Sequence, residues 1–287
     1  MNAIPSLALR ADSFDNDIDF DRRFGGIARL YGPAALTRFR NAHVCVVGVG
    51  GVGSWIVEAL ARSAIGRITM IDLDNLAESN VNRQIHALTE TLGKAKVTAL
   101  AERIAQINPY CQVTEVEDFI TPDNLDQMIG GHAYDYVVDA IDNVKAKTAL
   151  IAYCRAMHLK LITVGSAGGQ IDPTKIEVRD LSRTEQEPLL AKVRKQLRAH
   201  HGFPRGEKNK FGIDAVFSTE PLRFPESEEA CAVEGSAQAG VSGLNCAGFG
   251  SAMVVTASFG LVAAAQVLQK LAASAKAEHQ ETTAVAM

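Results

Sequence analysis

Cysteine is scarce and scattered in this 287-residue chain: Cys45, Cys111, Cys154, Cys231 and Cys246, no two closer than 15 positions. The missing CxxC pair removes ribbon-type zinc sites and redox dithiols, so no structural zinc is expected. An odd number without a disulfide framework fits a reducing compartment. Aromatic residues make up only 6%. A surplus of cations is also missing, with 29 Lys and Arg against 33 Asp and Glu, which excludes a generally polybasic protein. The N-terminus lacks the positive start of a secretory signal and carries Asp12, Asp15, Asp17, Asp19 and Asp21, so the reading is cytoplasmic. What is present is ordinary for a soluble globular chain, 47% hydrophobic and 22% charged, and long enough to bury a sizeable core without staples.

The segment His43 to Gly48 is a short β-branched apolar run, the pattern of a strand buried on both faces. It feeds a glycine cluster, then a helical pattern from Val52 to Ala64, then a second strand from Ile68 to Ile71 ending at Asp72. The alternation continues with a helix over Lys94 to Ile107, a strand over Val113 to Phe119 and a helix begun by Thr121-Pro122. A strand over Tyr134 to Ala140, a helix over Lys145 to Met157 and a strand from Leu161 to Val164 follow. This predicts an α/β fold: a doubly wound, Rossmann-like, mostly parallel sheet. Lys175 to Val178 and Ala215 to Ser218, around a charged helix, predict an antiparallel C-terminal extension.

No residue from Gly235 to Gln269 is charged, long enough to raise a membrane span. Its glycine, alanine and serine content makes it too weakly hydrophobic, so a membrane role is not expected. A packed helix of about Ser251 to Leu271, on the sheet or in a dimer interface, is the reading. The domain reading is one unit over 1–275, with a nucleotide-binding core at 20–170, substrate and dimer elements at 171–275 and a disordered tail at 276–287.

Gly48, Gly50 and Gly53 form GxGxxG after a strand and at the mouth of a helix. Glycines there let phosphate oxygens reach backbone N–H groups, and a helix N-terminus favours negative charge. Asp72, ending the next strand, is placed to accept hydrogen bonds from ribose hydroxyls. NAD and ATP fit equally so far. What separates them is DLDNLAESNVNRQ after the second strand, then Gly93 to Lys96, then DAIDN from Asp139 to Asn143. Hydride transfer asks for none of these. Attack on a nucleotide phosphate asks for cations on its oxygens and a carboxylate for Mg²⁺, roles open to Arg83, Lys96 and Asp142.

The order GxGGxGS, D-x-D…SNxNRQ, GxxK and DxxDN resembles the ubiquitin-activating enzyme superfamily in its bacterial ThiF, MoeB and HesA adenylyltransferase branch, over about residues 20 to 170. The resemblance implies that Gly51 contacts the nucleotide with the other glycines and that Asp72 holds the ribose. It also implies that Ser79, Asn80 and Arg83 meet the phosphates, that Lys96 binds them from the next helix, and that Asp142, beside Asn143, holds Mg²⁺. Two departures stand out. The zinc cysteines are absent, and the intersubunit arginine of the family's RYxRQ helix is replaced by Gly26, leaving Arg22, Arg23 and Arg29 as substitutes.

RFGGIARLYG, NRQIHAL, IAYCR, GSAGGQIDPT and FSTE resemble one group within that superfamily, the tRNA threonylcarbamoyladenosine dehydratases, at near-full length. This resemblance implies ATP-dependent cyclisation of threonylcarbamoyladenosine in tRNA: the carboxylate is adenylated, pyrophosphate leaves, the carbamoyl group closes a ring and AMP departs. Ring closure within one molecule needs no thiolester cysteine; Cys231, among acidic residues with no flanking cation, is not read as a thiolate. The alternative is an adenylyltransferase for the C-terminus of a ubiquitin-like sulfur carrier. Lys192 to Lys210 is the one concentrated basic stretch, and Arg194, Lys195 and Arg198 share a helix face suited to tRNA phosphates. Expected partners are tRNA, a second copy in a homodimer, and a sulfur-transfer protein, either a cysteine desulfurase or its sulfur acceptor.

Overall fold

The computed structural model describes residues 18–206, 208–224 and 249–285, with side chains described to residue 276. Two helices come first, α1 (Phe20–Tyr31) and α2 (Pro33–Asn41). Asp19 caps α1 by accepting the Arg22 N–H at 2.9 Å, which satisfies one of the orphan donors of the first turn. Strands and helices then alternate: β1 (His43–Val47), α3 (Gly53–Arg62), β2 (Arg67–Ile71), α4 (Lys96–Ile107), β3 (Gln112–Val116), α5 (Leu125–Met128), β4 (Tyr136–Asp139), α6 (Val144–Ala156) and β5 (Leu161–Val164). The C-terminal part adds β6 (Ile176–Asp180), α7 (Pro188–His200), β7 (Asp214–Ser218) and α8 (Met253–Val285).

The seven strands lie in the order β3-β2-β1-β4-β5-β7-β6. All neighbours are parallel except β6 and β7, whose antiparallel pairing is the expected extension; β7 itself runs parallel to β5. Strand order reverses between β1 and β4, so the crevice for a ligand opens at their C-terminal ends. Side chains of β1 alternate between the two cores. Val44 and Val46 pack with α2, α3, α4 and α8, and Cys45 and Val47 pack with α6 and α7. That two-sided burial is why the run reads as continuously apolar.

Two expectations change. The helix begun by Thr121-Pro122 is only the single turn α5. The Asn124 side chain accepts from the Thr121 N–H at 2.8 Å and donates to the Phe119 carbonyl at 2.8 Å, so a side-chain-bonded turn occupies the place of a first helical turn. At the other end, α8 does not stop near Leu271 but continues to Val285, through residues read from sequence as a disordered tail. Ala, Lys, Glu and Gln in that stretch favour helix without an apolar stripe to announce it.

The uncharged segment is therefore in part the first half of α8, which buries Val255, Phe259, Ala263, Val267 and Leu271 against the sheet-side core. By length and composition Met253–Lys276 passes for a membrane span, but over half of its apolar stretch is buried inside the protein. Gly260 is the point of closest approach to α3: a Cβ there would lie 2.7 Å from the Val52 carbonyl oxygen and 2.8 Å from the Trp55 Cβ. Backbone cannot yield cheaply at such a contact. Gly260→Ala is expected to cost about 1–3 kcal/mol and to raise the ATP KM, since α3 carries the glycine turn. Thermal melting and initial rates check it, and an unchanged melting temperature would contradict the crossing described.

Candidate functional site

The turn from β1 into α3 divides its glycines by role. A Cβ on Gly53 would sit 1.9 Å from the Gly48 carbonyl oxygen, and one on Gly48, at φ +82°, would sit 2.9 Å from the Ala140 carbonyl oxygen. These two close the helix onto the strand and bring the 139–143 loop alongside. Gly50 and Gly51 instead face side chains and not backbone. A Cβ on Gly51 would meet only the Arg83 side chain, at 3.2 Å, and one on Gly50 only the Gln84 amide, at 3.8 Å. No backbone therefore blocks approach to the N-terminus of α3 at these two positions, where N–H groups favour an anion.

Asp72 ties the groove together. Its carboxylate accepts the Val49 N–H at 2.8 Å and the Asp74 N–H at 3.0 Å, joining the end of β2 to the glycine turn. Lys96, almost fully buried at the start of α4, places its Nζ 2.6 Å from Asp74 and 3.7 Å from Asp72. Burial pushes the Asp72 carboxyl up from its usual range, with Lys96 and the two N–H bonds acting against that. Each Asp72 oxygen keeps a lone pair for a ribose hydroxyl.

Arg83 lies across the turn, its guanidinium donating to the Ser79 carbonyl at 2.6 Å and to the Asn82 amide oxygen at 3.0 Å. Its own carbonyl accepts from the Trp55 indole at 2.9 Å and the Thr256 hydroxyl at 3.4 Å. Asn82 donates to the Ser251 carbonyl, so the start of α8 braces this loop. Asn80 uses its side-chain oxygen on the Ala77 N–H, and Asn143 uses its own to cap α6 through the N–H groups of Lys145 and Ala146. Asp142 is exposed at the mouth of the β4–α6 turn. Among the described residues no group of three or more His, Cys, Asp or Glu is arranged to hold a metal. One exposed carboxylate beside a phosphate groove is nevertheless the usual protein share of a Mg²⁺ site, the rest coming from substrate phosphates and water.

Beneath Asp142 lies a cluster that sequence reading missed. Asp139 and Lys147 are both fully buried and paired at 2.8 Å. Asp139 also accepts from the Thr163 hydroxyl at 2.7 Å and the Ile141 N–H at 3.1 Å, which fixes the turn leading to Asp142. Glu187 approaches from α7, accepting the N–H groups of Ser166 and Leu190; burial raises its carboxyl, with Lys147 opposing. Lysine in an amphipathic helix reads as surface. The available signal was Asp139 itself, a carboxylate ending a fully apolar strand and so needing a buried counter-charge.

In the basic helix α7 two of the three expected tRNA contacts already have partners within the fold. Arg194 donates to the Thr184 hydroxyl and Arg198 lies over the Phe211 ring at 5.1 Å while donating to the Pro204 carbonyl. Both are half-buried beside the packed face of Leu190, Val193 and Leu197, so of the three only Lys195 stands exposed. Arg23 is spent similarly, donating to the Ile107 carbonyl at the end of α4. Cys45, Cys111 and Cys154 are free thiols, with burial raising all three. Cys231 and Cys246 lie outside the described residues.

The ThiF family model matches residues 23–286. A tRNA threonylcarbamoyladenosine dehydratase of Haemophilus influenzae is 52% identical over 254 residues, covering 88% of this chain and 94% of the relative. The Escherichia coli protein of the same name is 54% identical over 256 residues, covering 88% and 95%. A crystal structure of the E. coli tRNA N6-threonylcarbamoyladenosine dehydratase in complex with ATP aligns with a TM-score of 0.79 at 52% identity, over 89% of this chain and 96% of that one.

Removing Lys147 leaves Asp139 and Glu187 without their buried cation. Lys147→Met is therefore expected to cost about 3–5 kcal/mol, and pairing it with Asp139→Asn to recover part of the loss. Urea denaturation decides it; a single-variant cost below about 1 kcal/mol would place the pair with inconsequential surface bridges.

Proposed function

Because this chain belongs to the ThiF family, we propose that its groove adenylates a carboxylate, and that the protein catalyses ATP-dependent cyclisation of threonylcarbamoyladenosine in tRNA. The observation that carries the reading is the gathering of Asp72, Arg83 and Lys96 about the Gly50–Gly51 turn. Near-full-length similarity to dehydratases of that name supports this substrate over the C-terminus of a sulfur carrier.

In this mechanism the ribose hydrogen-bonds to Asp72 and the phosphates lie over the Gly50 and Gly51 N–H groups. Lys96 exchanges part of its contact with Asp74 for phosphate oxygens. Arg83 meets the α-phosphate, where charge develops as the threonyl carboxylate attacks; Ser79 and Asn80 border the same oxygens, and Asn143 holds the turn that presents Asp142. Asp142 would hold Mg²⁺, which when bound would supply charge neutralisation for the departing pyrophosphate. The carboxylate oxygen becomes the bridge of an acyl adenylate. An atom of the carbamoyl group then attacks the acyl carbon and loses its proton, and AMP leaves with the bridging oxygen. Net loss is one water. Because nucleophile and acyl group share a molecule, alignment alone supplies an effective molarity of up to about 10⁵ to 10⁸ M.

Lys195 is proposed to meet tRNA phosphate from the exposed side of α7. A homodimer is proposed with Met253, Val254 and Leu261, exposed along α8, in its interface. A cysteine desulfurase or its sulfur acceptor is the remaining proposed partner, with no contact residue assigned. A tRNA substrate gives the protein cytoplasmic work.

Arg83→Ala and Asp142→Ala are each expected to lower AMP formation by about 10² to 10³ while leaving the melting curve intact; Asp72→Ala acts mainly by raising the ATP KM. Rates within threefold of the unaltered protein would overturn the assignment. Replacing Cys231 and Cys246 together by Ser is expected to leave turnover unchanged. Loss of cyclised product with pyrophosphate still released would reveal a covalent thiolester step.

A further inference from the structure

A concave region also lies away from the glycine turn. A cavity of about 650 Å³ sits at the opposite end of the sheet, where Tyr136, Leu161 and Asp214 begin β4, β5 and β7. Three exposed cations converge on it from separate stretches of chain: Arg155 from the last turn of α6, Lys160 from the turn into β5, and Lys210 from the loop before β7. We propose that this cavity is a second RNA phosphate site, which anchors the tRNA substrate at the base of the sheet while its modified base reaches the groove at the top. The proposal rests on the cyclase reading.

Charge is the first argument. The two carboxylates in the lining are already engaged. Asp180 accepts the N–H groups of Ser182, Phe211 and Gly212 at 2.8–2.9 Å. Burial raises its carboxyl, but these bonds outweigh that and hold it below the usual range. Asp214 faces Lys270 at 3.2 Å. Asp180 stays ionised, but four cations (Arg155, Lys160, Lys210 and Lys270) face two carboxylates, so the lining is net positive on a chain whose overall charge is −4.

Order is the second argument. Phe203 and Phe211 pack edge to face with centroids 4.9 Å apart. Arg155 lies over Phe203 at 4.1 Å, as Arg198 lies over Phe211. A guanidinium already laid flat on a ring loses less freedom when it meets a phosphate. Arg194 and Arg198, the cations that sequence spacing offered to RNA, are bound into the fold; Lys210 is the member of the same basic stretch that reaches the cavity.

Reach is the third. Strands β4 and β5 have four residues each, which puts their two ends roughly 13 Å apart along a strand. That is less than one turn of a nucleic-acid duplex, about 34 Å for B-DNA. A stem lying alongside the domain is long enough to span that length.

The test uses the full chain with bulk tRNA carrying the modification, at several salt concentrations. Lys160→Ala/Lys210→Ala, two exposed side chains, should weaken tRNA binding and lower the magnitude of the slope of log K against log salt by roughly 1.4–1.8, about 0.7–0.9 for each phosphate no longer neutralised. ATP affinity and melting temperature should not move. Arg155→Ala, which also removes the packing against Phe203, should weaken binding further. Unchanged tRNA affinity and slope in the double variant would overturn the proposal and leave the cavity to an acidic protein surface. Failure of the unaltered protein to form AMP with tRNA, with the double variant still losing affinity, would instead support the RNA site and overturn the cyclase reading.

Discussion

The approach of Gly53 to the Gly48 carbonyl, closer than any side chain permits, is the constraint on which the site depends. It sets the N-terminus of α3 directly over the end of β1, at the place where strand order reverses. Asp72 then fixes the turn from the neighbouring strand through Val49, and the 139–143 loop lies against Gly48 from the other side. In the proposed reaction, phosphate is bound by backbone N–H groups that the fold has already oriented. Little reorganisation is left for the moment of reaction, which is when electrostatic stabilisation is most effective.

Buried charge does the same work one layer down. Asp139, Lys147 and Glu187 bridge β4, α6 and α7 beneath the exposed Asp142. Such a cluster is costly to desolvate and is held by many hydrogen bonds, so it tolerates one arrangement. The loop carrying Asp142 inherits that rigidity through the Ile141 N–H. On the far side, α8 braces the Arg83 loop through Thr256 and Ser251. The long uncharged segment thus contributes to the groove as well as to the core.

The strands around the groove were legible because burial on both faces forces an unbroken β-branched run, as in β1, and because glycine spacing has few readings directly after such a strand. Asp72, Arg83 and Lys96 were read as nucleotide ligands from their motifs, and the fold puts all three near the glycine turn, Asp72 bonding Val49 and facing Lys96, and Arg83 lying against Gly51. What sequence could not give were the side chains whose role depends on tertiary neighbours. Arg194 and Arg198 share a helix face by spacing, yet Thr184 and Phe211, distant along the pattern, occupy them. Lys147 gains its role only from Asp139, which the fold sets 2.8 Å from it. Asn80 and Asn143 spend their side-chain oxygens on local backbone, a capping role that the motif alone does not distinguish from phosphate contact. The length of α8 beyond Leu271 depends on helix propensity alone, which carries no periodic signature.

The central claim is that a substrate carboxylate oxygen becomes the bridge to AMP. The most direct measurement starts from tRNA whose threonyl carboxylate is labelled with oxygen-18, incubated with ATP and Mg²⁺, and follows the label by mass spectrometry. Adenylation followed by ring closure predicts AMP carrying one labelled oxygen in its phosphate, together with a nucleoside lighter by one water. Unlabelled AMP, or ADP in place of AMP, would contradict the account.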